Sequence, residues 1–331
     1  MKKIYFIEKS VPFNSLDINK PFISGSEKTL INISNELAKY KEFIIKVFNL
    51  TNINQSINNV EWNNLINITD NDQPDVLFSM SDSNLLSFFK CKKNFLWSHS
   101  VQPIEKFLRK RQFSSFVKNK PIMILESEYH YKTRSWFTSL YGKRILPIAV
   151  DNDFINQEIH SDYIPDNNAI FTTRSDRNLR FLLKAWSKIN LKVENAKLFI
   201  NPPYNLDQED IKMGVNLRSK GSKSDLINDL LKSKLMLNPG HKGEVFCLAA
   251  EEARELCLPI VTMGYGSLCE RVNHGVTGFI AKNEEEFVNY SINILNDKKL
   301  YLDLRKNLIK RRNSRSYKDV AKDLVNIINE N

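Results

Sequence analysis

The sequence predicts an α/β chain built from two successive parallel sheets, and three observations carry that prediction. Apolar runs of strand length alternate with longer amphipathic runs. The alternation is completed twice, and a stretch reading RILPIAVDNDF (144–154) falls between the two passes. At 331 residues the chain is long enough for about two domains, each with its own core.

In the first pass the strand candidates are KIYFIE (3–8), FIIKVFNL (43–50), DVLFSM (75–80), NFLWS (94–98), IMILES (122–127) and RILPIA (144–149). The clearest helix between them, 27–40, repeats Leu30, Ile33, Leu37 and Tyr40 at three- and four-residue spacing. The second pass reads AIFTT (169–173), a helix over 178–189, then AKLFI (196–200), KLMLN (234–238), PIVTM (259–263) and GFIA (278–281). Strands separated by helices of this length favour parallel pairing, so two Rossmann-like halves are expected. The closing segment, 316–331, reads as an amphipathic helix of about four turns.

Composition narrows the function. Hydrophobic content of 42% with 26% charged residues excludes a disordered tail, a collagen-like repeat and a disulfide scaffold. The net charge of +10 admits nucleic acid, an anionic membrane surface or a phosphorylated small substrate. No recognised nucleic-acid module accompanies it, so no nucleic-acid partner is expected. Cys91, Cys247, Cys257 and Cys269 form no CxxC pair and lack ligand spacing with the five His, so no metal site is expected. The start, MKKIYFIEKSVPF, has only four apolar residues in a row before Glu8, too few for a signal peptide or a membrane span. A cytoplasmic protein is expected. Peripheral contact at the inner face of the membrane is left open through the basic stretch 103–120, where Lys and Arg interleave with Phe107, Leu108, Phe113 and Phe116. The same stretch also reads as an ordinary surface helix packed on the sheet.

Glycine is scarce, and six of the ten lie between 240 and 278. That window reads NPGHKGEVFCLAAEEARELCLPIVTMGYGSLCERVNHGVTGF. Strand KLMLN ends at Pro239, and a Gly-bearing loop leads into a helix expected to begin near Phe246. Glu244 sits at its mouth and Glu252 eight residues on. A helix entry offers unpaired N–H groups and a positive dipole end, both suited to a diphosphate. Two carboxylates along the same edge can accept hydroxyls from two different sugars. The chemistry indicated is binding of a nucleotide-sugar.

EVFCLAAEEA resembles the E-x7-E signature of the retaining GT-B glycosyltransferases of family four (glycosyl transferases group 1), whose usual text is close to EGFGLxxxEA. LCLPIVTMGYGSLCERVNHGVTGFIA resembles the segment that follows it in that family. AIFTTRSDRNLRFLLKAWSKI, SGSEKTLINISNELAKY, LWSHS, ESEYHYKTR and ILPIAVDNDF are similar to its other landmarks, in the same order. The resemblance implies a GT-B fold of two Rossmann-like domains facing a cleft. It implies an acceptor-binding domain over 1–148, a nucleotide-sugar domain over 149–312, and a helix, 313–331, crossing back to the first. It implies that Glu252 binds the nucleotide ribose, that Glu244 holds a hydroxyl of the transferred sugar, and that amides of Val245, Phe246 and Cys247 face sugar and diphosphate, with Leu248 near the base. Arg177 and Arg174 would stabilise the leaving diphosphate, His99 would face the anomeric carbon, and the loop at Gly25 would approach the phosphates.

The implied reaction is metal-independent transfer from a UDP- or GDP-sugar to a hydroxyl of a glycan, lipid-linked or other acceptor, with no separate cofactor. Val245 and Cys247 stand where the family text has its two glycines, and Cys257 where it has another. A catalytically inactive nucleotide-sugar binder, or a GT-B epimerase or phosphorylase, is the alternative. Asp70-Asn71-Asp72 and Asp151-Asn152-Asp153 match the metal-binding pair of a GT-A enzyme, a reading that the E-x7-E segment opposes.

Overall fold

A computed structural model of the chain describes residues 1–20, 23–202, 214–219 and 221–330. Residues 1–149 and 317–331 form one compact unit, and residues 150–316 form a second.

The first unit contains β1 (Lys2–Ile7), α1 (Gly25–Leu37), β2 (Phe43–Asn49), β3 (Gln55–Ile57), β4 (Val60–Asn64), β5 (Val76–Met80) and β6 (Lys93–Trp97). After these come α2 (Ile104–Arg109), α3 (Phe113–Asn119), β7 (Ile122–Leu125), α4 (Glu128–Thr133) and β8 (Lys143–Ile145). The sheet runs β3-β4-β2-β1-β5-β6-β7-β8, parallel except for the antiparallel pair β3 and β4. Ile4 to Ile7 of β1 and all of β5 are buried, as expected of strands covered on both faces.

The hairpin of β3 and β4 has no counterpart in the apolar pattern, because QSINNVEWNN is largely polar. Its signal is the turn: Asn58 and Asn59 both take positive φ, 55° and 61°, as a tight hairpin turn requires. Pairing of β4 with β2 then buries Val60 and Trp62. The basic stretch 103–120 folds as two short helices rather than one. Phe107 and Phe116 pack with Leu96, Met123, Leu125 and Phe137 in the core, so these aromatics serve folding.

The second unit contains α5 (Asn152–Ile155), β9 (Asn168–Phe171), α6 (Leu179–Asn190), β10 (Lys197–Ile200), β11 (Val215–Leu217), α7 (Lys223–Leu231) and β12 (Leu235–Leu237). These are followed by α8 (Leu248–Glu255), β13 (Ile260–Thr262), α9 (Leu268–Arg271), β14 (Gly278–Ile280), α10 (Glu284–Asn296) and α11 (Lys298–Lys310). Its sheet is parallel throughout, in the order β11-β10-β9-β12-β13-β14. Successive strand residues feed opposite faces. Ala169, Phe171, Leu235, Leu237 and Val261 join one core, and Ile170, Met236 and Ile260 the other. This is the doubly wound order, whose reversal lies between β9 and β12. The expectation of two Rossmann-like parallel sheets is met.

The final helix, α12 (Tyr317–Asn329), packs on α1 in the first unit, where the Thr29 and Tyr317 hydroxyls lie 3.3 Å apart. Among the described residues no helix is long and apolar enough to cross a membrane.

Candidate functional site

In the second unit the loops leaving β9 and β12 meet at the carboxyl edge of the sheet, on either side of the point where strand order reverses. Ligands of open α/β sheets bind at such a crevice. The β9 loop brings Arg177, and the β12 loop brings His241, Gly243 and Glu244. Arg177 Nε lies 3.4 Å from Glu244 Oε1, and its Nη1 lies 2.8 Å from His241 Nδ1. The Gly243 amide donates to the same Nδ1 at 2.9 Å. Two N–H donors on one ring nitrogen require that nitrogen to carry no proton, so the imidazole acts as an acceptor that fixes the guanidinium. A Cβ on Gly243 would stand 3.0 Å from His241 Nδ1 and 3.4 Å from Arg177 Nη1, so a side chain there would press on both partners. Asn178, at φ 62°, donates through its side-chain amide to the Gly240 carbonyl and ties the two loops together.

Glu244 is mostly buried, and its Oε2 has no hydrogen-bond partner among the described residues. Burial raises its pKa, and the Cys247 thiol, Arg177 and His241 oppose that rise. Burial and the nearby Glu244 charge push the Cys247 thiol well above its ordinary value, so it is an inert neighbour. The helix expected from Phe246 begins instead at Leu248. Residues 244–247 form a loop whose last residue, Cys247, is left-handed at φ 60°. A glycine adopts that conformation without strain, which accounts for the family text at this place. Arg271 holds the loop from below: its Nε donates to the Phe246 carbonyl at 2.9 Å, its guanidinium covers the Phe246 ring, and Nη1 lies 2.9 Å from Glu251 Oε1.

Gly266 shows why glycine concentrates here. It sits at φ 69°, and a Cβ on it would meet the carbonyl oxygens of His241 and Glu244 at 2.5 and 2.7 Å. Its neighbour Ser267 donates its amide to the Glu244 carbonyl at 2.9 Å. The turn after β13 therefore presses directly on the loop that carries Glu244.

Not every expected residue joins this group. Arg174 lies at the surface, paired with Asp176 at 2.7 Å and not with Glu244. Glu252 is partly buried within α8, beside the buried Glu251, which is bound to Arg254 and Arg271. Val245, Phe246 and Cys247 are buried, and Leu248 opens α8. Gly25 is the exposed first residue of α1, whose entry is already capped by the Glu27 carboxylate accepting the Ser24 amide. Asp151 and Asp153 are both bound to Lys223, at 2.6 and 3.0 Å, and Asp72 lies 3.5 Å from Lys46. Among the described residues no group of three His, Cys, Asp or Glu side chains is arranged to hold a metal ion.

His99 lies in the first unit, just beyond β6. Its Nδ1 is 2.5 Å from Glu126 Oε1, its ring stacks on Trp97, and its amide donates to Ser81 Oγ at 3.1 Å. Glu126 follows β7 and opens the stretch ESEYHYKTR, but no role was expected of it. Its pairing with His99 depends on β6 and β7 being neighbours. Arg271 carried no expectation for the same reason: it acts through partners that the chain brings from elsewhere.

Residues 167–311 match the family described as glycosyl transferases group 1. No curated protein matches the chain. Among solved structures it is similar to sucrose-phosphate synthase from Thermosynechococcus elongatus, with a TM-score of 0.73 and 14% identity over 99% of this chain and 98% of that one. It is also similar to Anabaena HepE in complex with UDP-glucose, with a TM-score of 0.71 and 12% identity over 99% of each chain. A third is WaaG, a glycosyltransferase involved in lipopolysaccharide biosynthesis, with a TM-score of 0.69 and 13% identity over 99% of this chain and 100% of that one. At such identities the likeness is one of fold, that of GT-B glycosyltransferases.

Proposed function

We propose that the chain is a glycosyltransferase that moves a sugar from a nucleotide-sugar donor to an acceptor hydroxyl with retention at the anomeric carbon. The observation that carries the reading is the grouping of Arg177, His241 and Glu244 at the strand-order reversal, inside the segment that matches the family. Departure of a nucleoside diphosphate builds negative charge on its oxygens. A guanidinium held by two partners, beside the amides entering α8, is prepared for that charge before it develops. Glu244, with one oxygen unpartnered, is suited to a hydroxyl of the transferred sugar, and Glu252 to the ribose. Neutralisation by Arg177 and amides is the basis for proposing metal-independent transfer. With Glu244 assigned to a sugar hydroxyl rather than to attack on the anomeric carbon, the reading is displacement on one face, with the leaving phosphate taking the acceptor proton.

The first unit would then supply the acceptor site. Its exposed Ile104, Leu108 and Val117, near Arg109, Lys110 and Arg111, are the residues of 103–120 left for a peripheral membrane contact. The left-handed Cys247 supports a loop still shaped for a nucleotide-sugar, because it keeps the course that glycine would give it.

The test is release of nucleoside diphosphate from UDP-, GDP- and ADP-sugars, with candidate acceptors present and absent. Turnover that depends on an acceptor, with the product anomer matching the donor, is expected. Tight donor binding without turnover under every condition overturns the reading in favour of a binder. Conversion of the donor without any acceptor indicates an epimerase.

A further inference from the structure

At the carboxyl edge of the first sheet, polar side chains from three neighbouring strands converge on His99. Its main chain is fixed by Ser81, which follows β5 and takes a left-handed φ of 58°. Its ring lies against Trp97 at the end of β6. Its Nδ1 meets the buried Glu126 beyond β7. Glu126 is fixed in turn, because its amide donates to Nδ1 of the buried His130 at 3.3 Å. His130 binds the Ser100 main chain as well, and burial lowers its pKa to about 4, so at neutral pH it is an uncharged support.

The other ring nitrogen of His99, Nε2, is buried and has no hydrogen-bond partner among the described residues. Leaving such a group unpaired costs free energy unless a ligand completes it. A carboxylate can only accept, so in the neutral imidazole the Glu126 contact puts the proton on Nδ1 and leaves a lone pair on Nε2. We propose that Glu126 is a positioning residue that holds His99 in this tautomer, with Nε2 open to accept a sugar hydroxyl. The identity of the hydroxyl rests on the glycosyl-transfer reading; the tautomer does not.

The test uses long-range proton–nitrogen spectra of the full-length labelled protein, with His99 assigned as the signal lost in His99→Gln. In wild type His99 is expected with its proton on Nδ1. Glu126→Ala is expected to move it toward the Nε2-protonated form, whereas Glu126→Gln, whose amide oxygen still accepts, keeps it. An Nε2-protonated His99 in wild type overturns the proposal, as does an identical tautomer in wild type and Glu126→Ala. If Glu126→Ala does not fold, the wild-type tautomer alone decides.

UDP-, GDP- and ADP-glucose are then titrated in. A donor that saturates the protein should shift the Nε2 signal, and turnover by Glu126→Ala should fall about tenfold or more with KM little changed. Saturation without a shift overturns the open-acceptor role. If no donor binds, the glycosyl-transfer reading fails, while the tautomer comparison still decides the role of Glu126.

Discussion

Arg177 touches Glu244 and His241 through different nitrogens, so its charge is fixed in place at the edge of the sheet. Its replacement by alanine should remove charge stabilisation that matters most as the diphosphate departs. Turnover is expected to fall about 100-fold or more, with donor affinity changed less, in steady-state kinetics set beside calorimetry. Glu252→Ala is expected to do the reverse, weakening donor binding while the melting temperature stays near wild type. Unchanged affinity would remove Glu252 from the donor site.

Cys257 makes a different kind of test. It stands just past α8 at φ 55°, with its amide bonded to the Arg254 carbonyl and the Leu258 amide to Ala253, the closing pattern in which glycine is preferred. In urea denaturation Cys257→Gly should be at least as stable as wild type, and Cys257→Val less stable by about 1–3 kcal/mol, since a β-branched side chain fits this backbone poorly. Both cysteines that replace family glycines in this part of the chain, Cys247 and Cys257, are left-handed. The sequence showed the replacement; only the backbone shows that the conformation survived it.

At the scale of elements, strand ends position the chemistry. Runs such as KLMLN and AIFTT announced β12 and β9 because a doubly covered strand must be apolar along its length. The loop after β12 was legible through its glycines and the spacing of Glu244 and Glu252. The pairing of Arg177 with His241, 64 residues apart, was not legible, because it depends on β9 lying beside β12. The β3–β4 hairpin was hidden for a related reason: its stability comes from adding an edge to β2, not from its own composition.

His130, near the edge of the first sheet, gives this scale a pH test. Its pKa is about 4 in the fold against an ordinary 6.5, so between these values the unfolded chain binds a proton that the folded one refuses. Stability is therefore complete above about pH 6.5 and falls as pH drops toward about 4, by about 2 kcal/mol between pH 7 and pH 5. Urea denaturation at both pH values should show this loss in wild type and a smaller one in His130→Gln, with Glu126 and His99 common to both. Equal slopes would mean that His130 does not titrate in this way.

For the whole molecule, the last helix matters more than its position at the end of the chain suggests. α12 buries Val320, Leu324, Ile327 and Ile328 within the first unit, burial that contributes roughly 5–10 kcal/mol as an upper bound. A domain is stable by about 5–15 kcal/mol, so a chain ending at Ser316 should lose most of the first unit's stability. Calorimetry is expected to show that unit's transition lowered or lost with the second unit's transition retained. Two unchanged transitions would show that the first unit folds without α12.

By itself the sequence determined the two α/β passes, the strand cores, the place of the glycine-dense loop and the chemistry suggested by Glu244 and Glu252. These follow from local patterns: burial on both faces makes a strand apolar, and a tight loop needs small residues. The tertiary structure decided what no local pattern contains. It set His241 against Arg177, Arg271 beneath Phe246, Gly266 against the carbonyls of the Glu244 loop, and Glu126 beside His99. Each of these contacts joins residues carried by different strands, and strand order is fixed by packing the whole sheet rather than by any single stretch of chain.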